Sequence, residues 1–103
     1  MKPIGTHNYF MYIATNKEKK VLYVGVTNDL RTRLDQHYQD SITAKKHFAG
    51  KYNCYNLIYF ERYQYINDAI DRETEVKDWR RSRKEELIKE LNPEWRFLNE
   101  EVD

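Results

Sequence analysis

Five side chains in this sequence have the types and spacing to act on one chemical group: Tyr12, Tyr23, Arg33, His37 and Glu73. Four of them fall in a single run from Tyr9 to His37, which offers two phenols, a permanently charged guanidinium and an imidazole on adjacent elements. Glu73 supplies a carboxylate from a distant segment, and its placement there is unusual. At about 100° per residue, Ile66, Ala69, Ile70 and Val76 span one apolar arc of a helix, and Glu73 lies inside that arc. Lys77 and Arg80 lie near it, whereas Asp68, Asp71 and Glu75 face the opposite, wet side. An ionised carboxylate does not enter an apolar face alone, because desolvating it is costly. Its partner could be Lys77 at the i,i+4 position, a tyrosine hydroxyl, or a bound cation.

The elements that must position these groups are legible. Residues 9–15 and 20–26, rich in Tyr, Phe, Ile and Val, read as strands joined by the turn Asn16-Lys17-Glu18-Lys19. A hairpin centred on Lys17-Glu18 sets Tyr12 directly opposite Tyr23, on one face of the sheet. Gly25 leaves room for another group to approach the second strand closely. Thr27 or Asn28 caps the following helix and Asp29 suits its first turn. Leu30, Leu34 and Tyr38 form its buried stripe, with Arg33 and His37 at the rim where helix meets sheet and Arg31 and Asp35 pointing away. Residues 41–53 read as a loop and 55–63 as a third strand. A helix capped by Asn67 runs to Trp79, and another from Arg83 buries Leu87, Ile88 and Leu91 before Asn92-Pro93 stops it. The expected fold is α+β, a small three-stranded antiparallel sheet flanked by helices in ββαβα(α) order. A single domain fills residues 1–103, with its core at about 9–98 and flexible ends at 1–8 and 99–103.

Composition narrows the function classes. Charged residues make up 34% and aromatics 15% of the chain, with nine tyrosines and three glycines, so rings carry much of the apolar content. A net charge of +1 gives no global attraction to a polyanion, which leaves local clusters: Lys45-Lys46-His47 with Lys51, and Arg80-Arg81 with Arg83-Lys84. Each cluster taken alone also reads as a solvated face. Cys54 is the only cysteine, which excludes an internal disulfide and a multi-cysteine metal site. No segment reads as a signal peptide or bilayer span, so the expectation is a cytoplasmic protein without membrane contact.

At this point the chain resembles the GIY-YIG nuclease superfamily, in particular its small stand-alone bacterial members, which are related to the nuclease domain of an excision-repair subunit. The paired tripeptides stand as Phe10-Met11-Tyr12 and Tyr23-Val24-Gly25, followed by Val26 to Leu30, Arg33 and His37. Arg72-Glu73 with Lys77 and Trp79, then Asn92-Pro93-Glu94-Trp95, match the later motifs. The resemblance implies a one-metal phosphodiester hydrolase acting on nucleic acid, with DNA as the expected substrate. Glu73 would hold Mg²⁺ or Mn²⁺, and Arg33 would bind the phosphate. Tyr12 would position or deprotonate the attacking water with help from Tyr23 or His37, its ionisation assisted by the charge of Arg33 and the metal. Lys45, Lys46, Lys51, Lys77, Arg80, Arg81 and Asn92 would contact the nucleic acid. The departures are Phe10 in place of the motif glycine, Val26 where excision-repair relatives carry lysine, and His37 where they carry tyrosine. Two other classes fit the same residues. One is a non-catalytic nucleic-acid-binding module. The other is a homodimeric interaction domain anchored on Trp79 and Trp95, so the chain is expected to be a monomer or a homodimer.

Overall fold

β1 (Tyr9–Thr15) is the middle strand of an antiparallel sheet ordered β2-β1-β3, with β2 (Leu22–Thr27) and β3 (Asn56–Tyr63) on its two sides. Residues 8–43 and 52–102 are described by the computed structural model. α1 (Leu30–Ile42) follows β2, whereas α2 (Ile66–Lys77) and α3 (Arg81–Leu91) follow β3, giving the expected ββαβαα order. The expected nucleic-acid contacts Lys45, Lys46 and Lys51 lie outside the described residues.

β1 is buried without alternation from Met11 to Thr15, because both faces of the sheet are covered. Met11 and Ile13 join Val24, Ile58, Val76, Leu87 and Ile88 beneath α2 and α3. Tyr12 and Ala14 point the other way, into a second cluster with Leu30, Leu34, Leu57 and Leu98. Burying each such aliphatic side chain contributes about 1.5–3 kcal/mol, so each face has a small core of its own. Trp79 and Trp95, candidate dimer anchors in the sequence, are partly buried against the first cluster.

The hairpin register differs by two residues from the expected one. Tyr12 stands opposite Gly25, and Tyr23 opposite Ala14. The cause lies in the turn. Asn16 Oδ1 accepts hydrogen bonds from the Lys20 and Val21 amides at 2.8 and 3.2 Å, which removes both residues from the ladder. Asn16 O also accepts from the Lys19 amide at 2.9 Å, with Lys19 in the left-handed region at φ 61°. A shift of two preserves side-chain parity, so Tyr12 and Tyr23 still share a face.

Several local expectations change for similar reasons. Asp29 is the α1 N-cap, its carboxylate accepting from the Thr32 amide at 3.1 Å, while Thr27 Oγ1 accepts from the Asp29 amide. The α1 stripe buries His37, and Tyr38 is 45% exposed. α2 begins one residue before its expected cap, with Tyr65 at the cap position and no side-chain cap bond. Ile66, Ile70 and Leu91 lie exposed because Ala69 and Val76 carry the α2 contact and Leu87 and Ile88 the α3 contact. Residues 99–102 carry contacts to the rest of the fold: Arg31 Nη2 donates to the carbonyls of Asn99 and Val102, and Asn99 bonds the backbone of Tyr55 and Leu57. Arg31, expected to point away, thus ties α1 to the C-terminal segment.

Candidate active site

Tyr12 occupies the centre of the phenol cluster, completely buried. Its ring lies over Gly25. A Cβ added there would come 2.7 Å from Tyr12 Cζ and Oη, closer than real carbons approach, so this glycine is required by the neighbouring phenol. The Tyr12 hydroxyl is 2.8 Å from His37 Nε2, and His37 is itself 1% exposed. Tyr23 packs beside both, its ring centroid 6.0 Å from that of Tyr12 and 5.0 Å from the imidazole. Tyr23 is half-buried and therefore the phenol of the pair with access to solvent.

Arg33 closes the cluster. Its guanidinium interacts with both phenols, and its Nη1 donates to Gln36 Oε1 at 3.0 Å. Among the described residues no carboxylate forms an ion pair with it. Burial works against that charge but is outweighed by the two tyrosines, and the guanidinium stays protonated. Tyr12 shows the converse. Burial, joined by the neighbouring Tyr23, pushes its phenol well above the usual tyrosine value, and the opposing effect of Arg33 is smaller. The expected lowering by Arg33 therefore does not prevail, and Tyr12 is a neutral phenol hydrogen-bonded to His37 Nε2. His37, expected at the rim, is the inner end of a hydrogen-bonded chain. Gln36 was not anticipated as a partner of Arg33, although its i,i+3 spacing was a usable signal.

Glu73 lies on α2, on the buried line between Ala69 and Val76, as its helical position requires. Its side chain is 21% exposed and pairs with Lys77 Nζ at 3.4 Å. Arg72 reaches Glu61 on β3 at 2.9 and 3.1 Å. The phenol cluster packs with Leu30 and Leu34 of α1, and Val76 of α2 packs in the cluster on the other face of the sheet. Among the described residues no group of three or more His, Cys, Asp or Glu side chains is placed to hold a metal. A lone, partly exposed carboxylate fits a hard divalent cation whose other positions are water and substrate oxygens. Lys77 is 52% exposed, so its pairing with Glu73 is weak enough to yield.

The other expected contacts divide. Arg80 is exposed at the start of α3. Arg81 is committed to Glu85 at 2.9 Å and to the hairpin carbonyls of Lys19 and Lys20. Asn92 is 3% exposed and is spent on backbone: its Nδ2 donates to Ile58 O and Arg96 O, and its Oδ1 accepts from the Arg96 amide. It clasps the turn after α3 onto β3 and presents nothing outward. A cavity of about 420 Å³, lined by Leu34, Asp35, Tyr38, Tyr55 and Glu100, lies on the opposite flank of α1 from Arg33 and is separate from the cluster.

This arrangement defines a class. The model of the GIY-YIG catalytic domain matches residues 8–86, and the chain belongs to the GIY-YIG family of nuclease domains. It is similar to the solution NMR structure of a UPF0213 protein from Bacillus halodurans, with 26% identity, a TM-score of 0.53, and coverage of 85% of this chain and 89% of the other. No curated protein matched the chain. No helix among the described residues is long and apolar enough to cross a membrane.

Proposed function

We propose that the protein is a metal-dependent endonuclease that hydrolyses phosphodiester bonds in nucleic acid, with DNA the expected substrate. The observation that carries this reading is the Arg33 guanidinium, paired with no carboxylate among the described residues and set beside the hydrogen-bonded Tyr12 and His37. Arg33 binds the scissile phosphate through its planar N–H donors and stabilises the charge that grows on it. Tyr23, the phenol open to solvent, orients the attacking water. As that water attacks phosphorus, it passes its proton to Tyr23, which hands its own to Tyr12, and Tyr12 delivers its proton to His37 Nε2. A new P–O bond forms and the bond to the leaving oxygen breaks. Because each phenol gains a proton as it gives one up, no phenolate accumulates. This suits a Tyr12 whose burial opposes ionisation.

Glu73 would hold the divalent cation, Mg²⁺ or Mn²⁺. When bound, such an ion supplies further stabilisation of charge on the phosphate and leaving oxygen. The test is incubation of purified protein with single-stranded, duplex and branched DNA, and with RNA, with and without each cation. Cation-dependent cleavage that is lost in both Arg33→Ala and Glu73→Gln is the expected result. Cleavage that survives in both variants, or no cleavage of any substrate, defeats the proposal.

A further inference from the structure

Phe10 stands where the family motif has glycine, and the structure shows what the added ring does. It packs edge-on against Phe60, ring centroids 6.1 Å apart at 73°. Phe60 is directly across β3 from Tyr12, and Phe10 precedes Tyr12 by two residues, so both rings share its face of the sheet. One strand repeat of two residues is about 7 Å, close to the spacing between successive nucleotides in an extended strand. Both rings are half-buried at the margin of the Tyr12 cluster. Directly across from Phe10 stands the exposed Arg62, whose Nε donates to Asn8 Oδ1 and whose positive charge lies at the edge of the pair. The carboxylate of β3, Glu61, is turned to the other face and occupied by Arg72.

We infer that the Phe10–Phe60 pair is a stacking platform for an unpaired nucleobase beside the phosphate held by Arg33. The inference rests on the proposed nuclease reading and narrows its substrate to nucleic acid with unpaired bases, as a single strand or at a defect in a duplex. Rings recognise a base through its face, and in a regular duplex those faces are covered by the adjacent base pairs. Continuity with the Arg33 cluster and the flanking charge of Arg62 favour a polyanion with exposed rings over an apolar protein partner.

The experiment measures binding without divalent cation, so that it does not depend on cleavage. Oligonucleotides carrying 2-aminopurine are offered as a single strand and as a matched duplex. Wild-type protein should bind the single strand more tightly and quench its fluorescence. Phe10→Leu and Phe60→Leu, which keep apolar bulk but remove a ring, should weaken single-strand binding about tenfold and duplex binding by less than twofold. Phe10→Trp should retain binding. If one leucine variant fails to fold, as checked by circular dichroism, the other and the wild-type quenching still decide the matter. Equal losses on both substrates, or no quenching by the wild type, overturns the platform. Cation-dependent cleavage without ring dependence leaves the nuclease reading standing and removes this inference. Ring-dependent stacking without cleavage does the reverse.

Discussion

The sheet carries two clusters of tyrosine and arginine, one on each face, and they differ in a single ingredient. On the α2 side, the hydroxyls of Tyr59 and Tyr63 donate to Glu61, which also accepts two bonds from Arg72. Arg72 pairs with Glu75 as well, at 2.6 Å, and lies over Trp79, 5.1 Å from the ring centroid. Every charge there has a partner. On the α1 side, Tyr12, Tyr23 and His37 stand together beside Arg33, and among the described residues no carboxylate pairs with it. The same residue types therefore make a staple in one place and, in the proposed reading, an anion site in the other. The carboxylate decides which, because it consumes the guanidinium that a substrate phosphate would otherwise meet.

The sharpest way to break this contrast is to remove each arginine. Arg33→Ala should lower cleavage by at least about 100-fold, the scale for losing a principal donor to transition-state charge, while thermal unfolding stays near wild type. Arg72→Ala should do the opposite. It strands the partly buried Glu61 and should cost about 2–3 kcal/mol of stability by denaturant unfolding, with cleavage per folded molecule preserved. An Arg72→Ala variant that is stable but inactive would collapse the distinction.

Gly25→Ala probes the α1-side cluster without touching its polar groups. The new methyl must displace the Tyr12 ring from its bond to His37, so a loss of about 1–3 kcal/mol is expected, together with reduced cleavage. Unchanged melting and activity would mean that the ring is free to move.

The two clusters also set different pH limits. Burial would raise the Glu61 carboxyl, but Arg72, Tyr59 and Tyr63 outweigh it and hold the group below the usual glutamate range. In the unfolded chain Glu61 takes up its proton near pH 4.3, and in the native protein only at lower pH. The unfolded state thus binds more protons in that window, and stability falls as pH drops through it. Glu61→Gln should flatten the acid limb of stability, whereas Tyr12→Phe should leave that limb unchanged. At the other extreme, Tyr12 keeps its proton in the native state above pH 10, where the unfolded chain loses it, so stability falls as pH rises. Burial and Glu61 push Tyr63 up to about 12 in the same direction, which makes the alkaline limb common to both faces. Absorbance of ionised tyrosine against pH, compared between wild type and Tyr12→Phe, measures the share belonging to the α1 side. The smallest effect concerns Cys54, whose thiol burial raises to about 11, so it should react slowly with a thiol reagent until the protein unfolds.

By itself the sequence determined the order of elements, the parity that sets Tyr12 and Tyr23 on one face, and the helical spacing that groups Arg33 with His37. It also marked Glu73 as a carboxylate inside a buried line. These follow from periods of two and 3.6, which are properties of the local backbone. Tertiary structure decided the rest. The hairpin register depended on Asn16 capturing two amides, and the burial of His37 and the protonation of Tyr12 depended on α1 closing over the sheet. The hold of the Asn92 amide on β3 likewise came from the tertiary structure. Which arginine remains charged towards solvent was equally hidden, because Arg72 meets Glu61 across 11 positions of chain. Long-range pairing and desolvation have no period in sequence, and they settled which set of tyrosines could become a site.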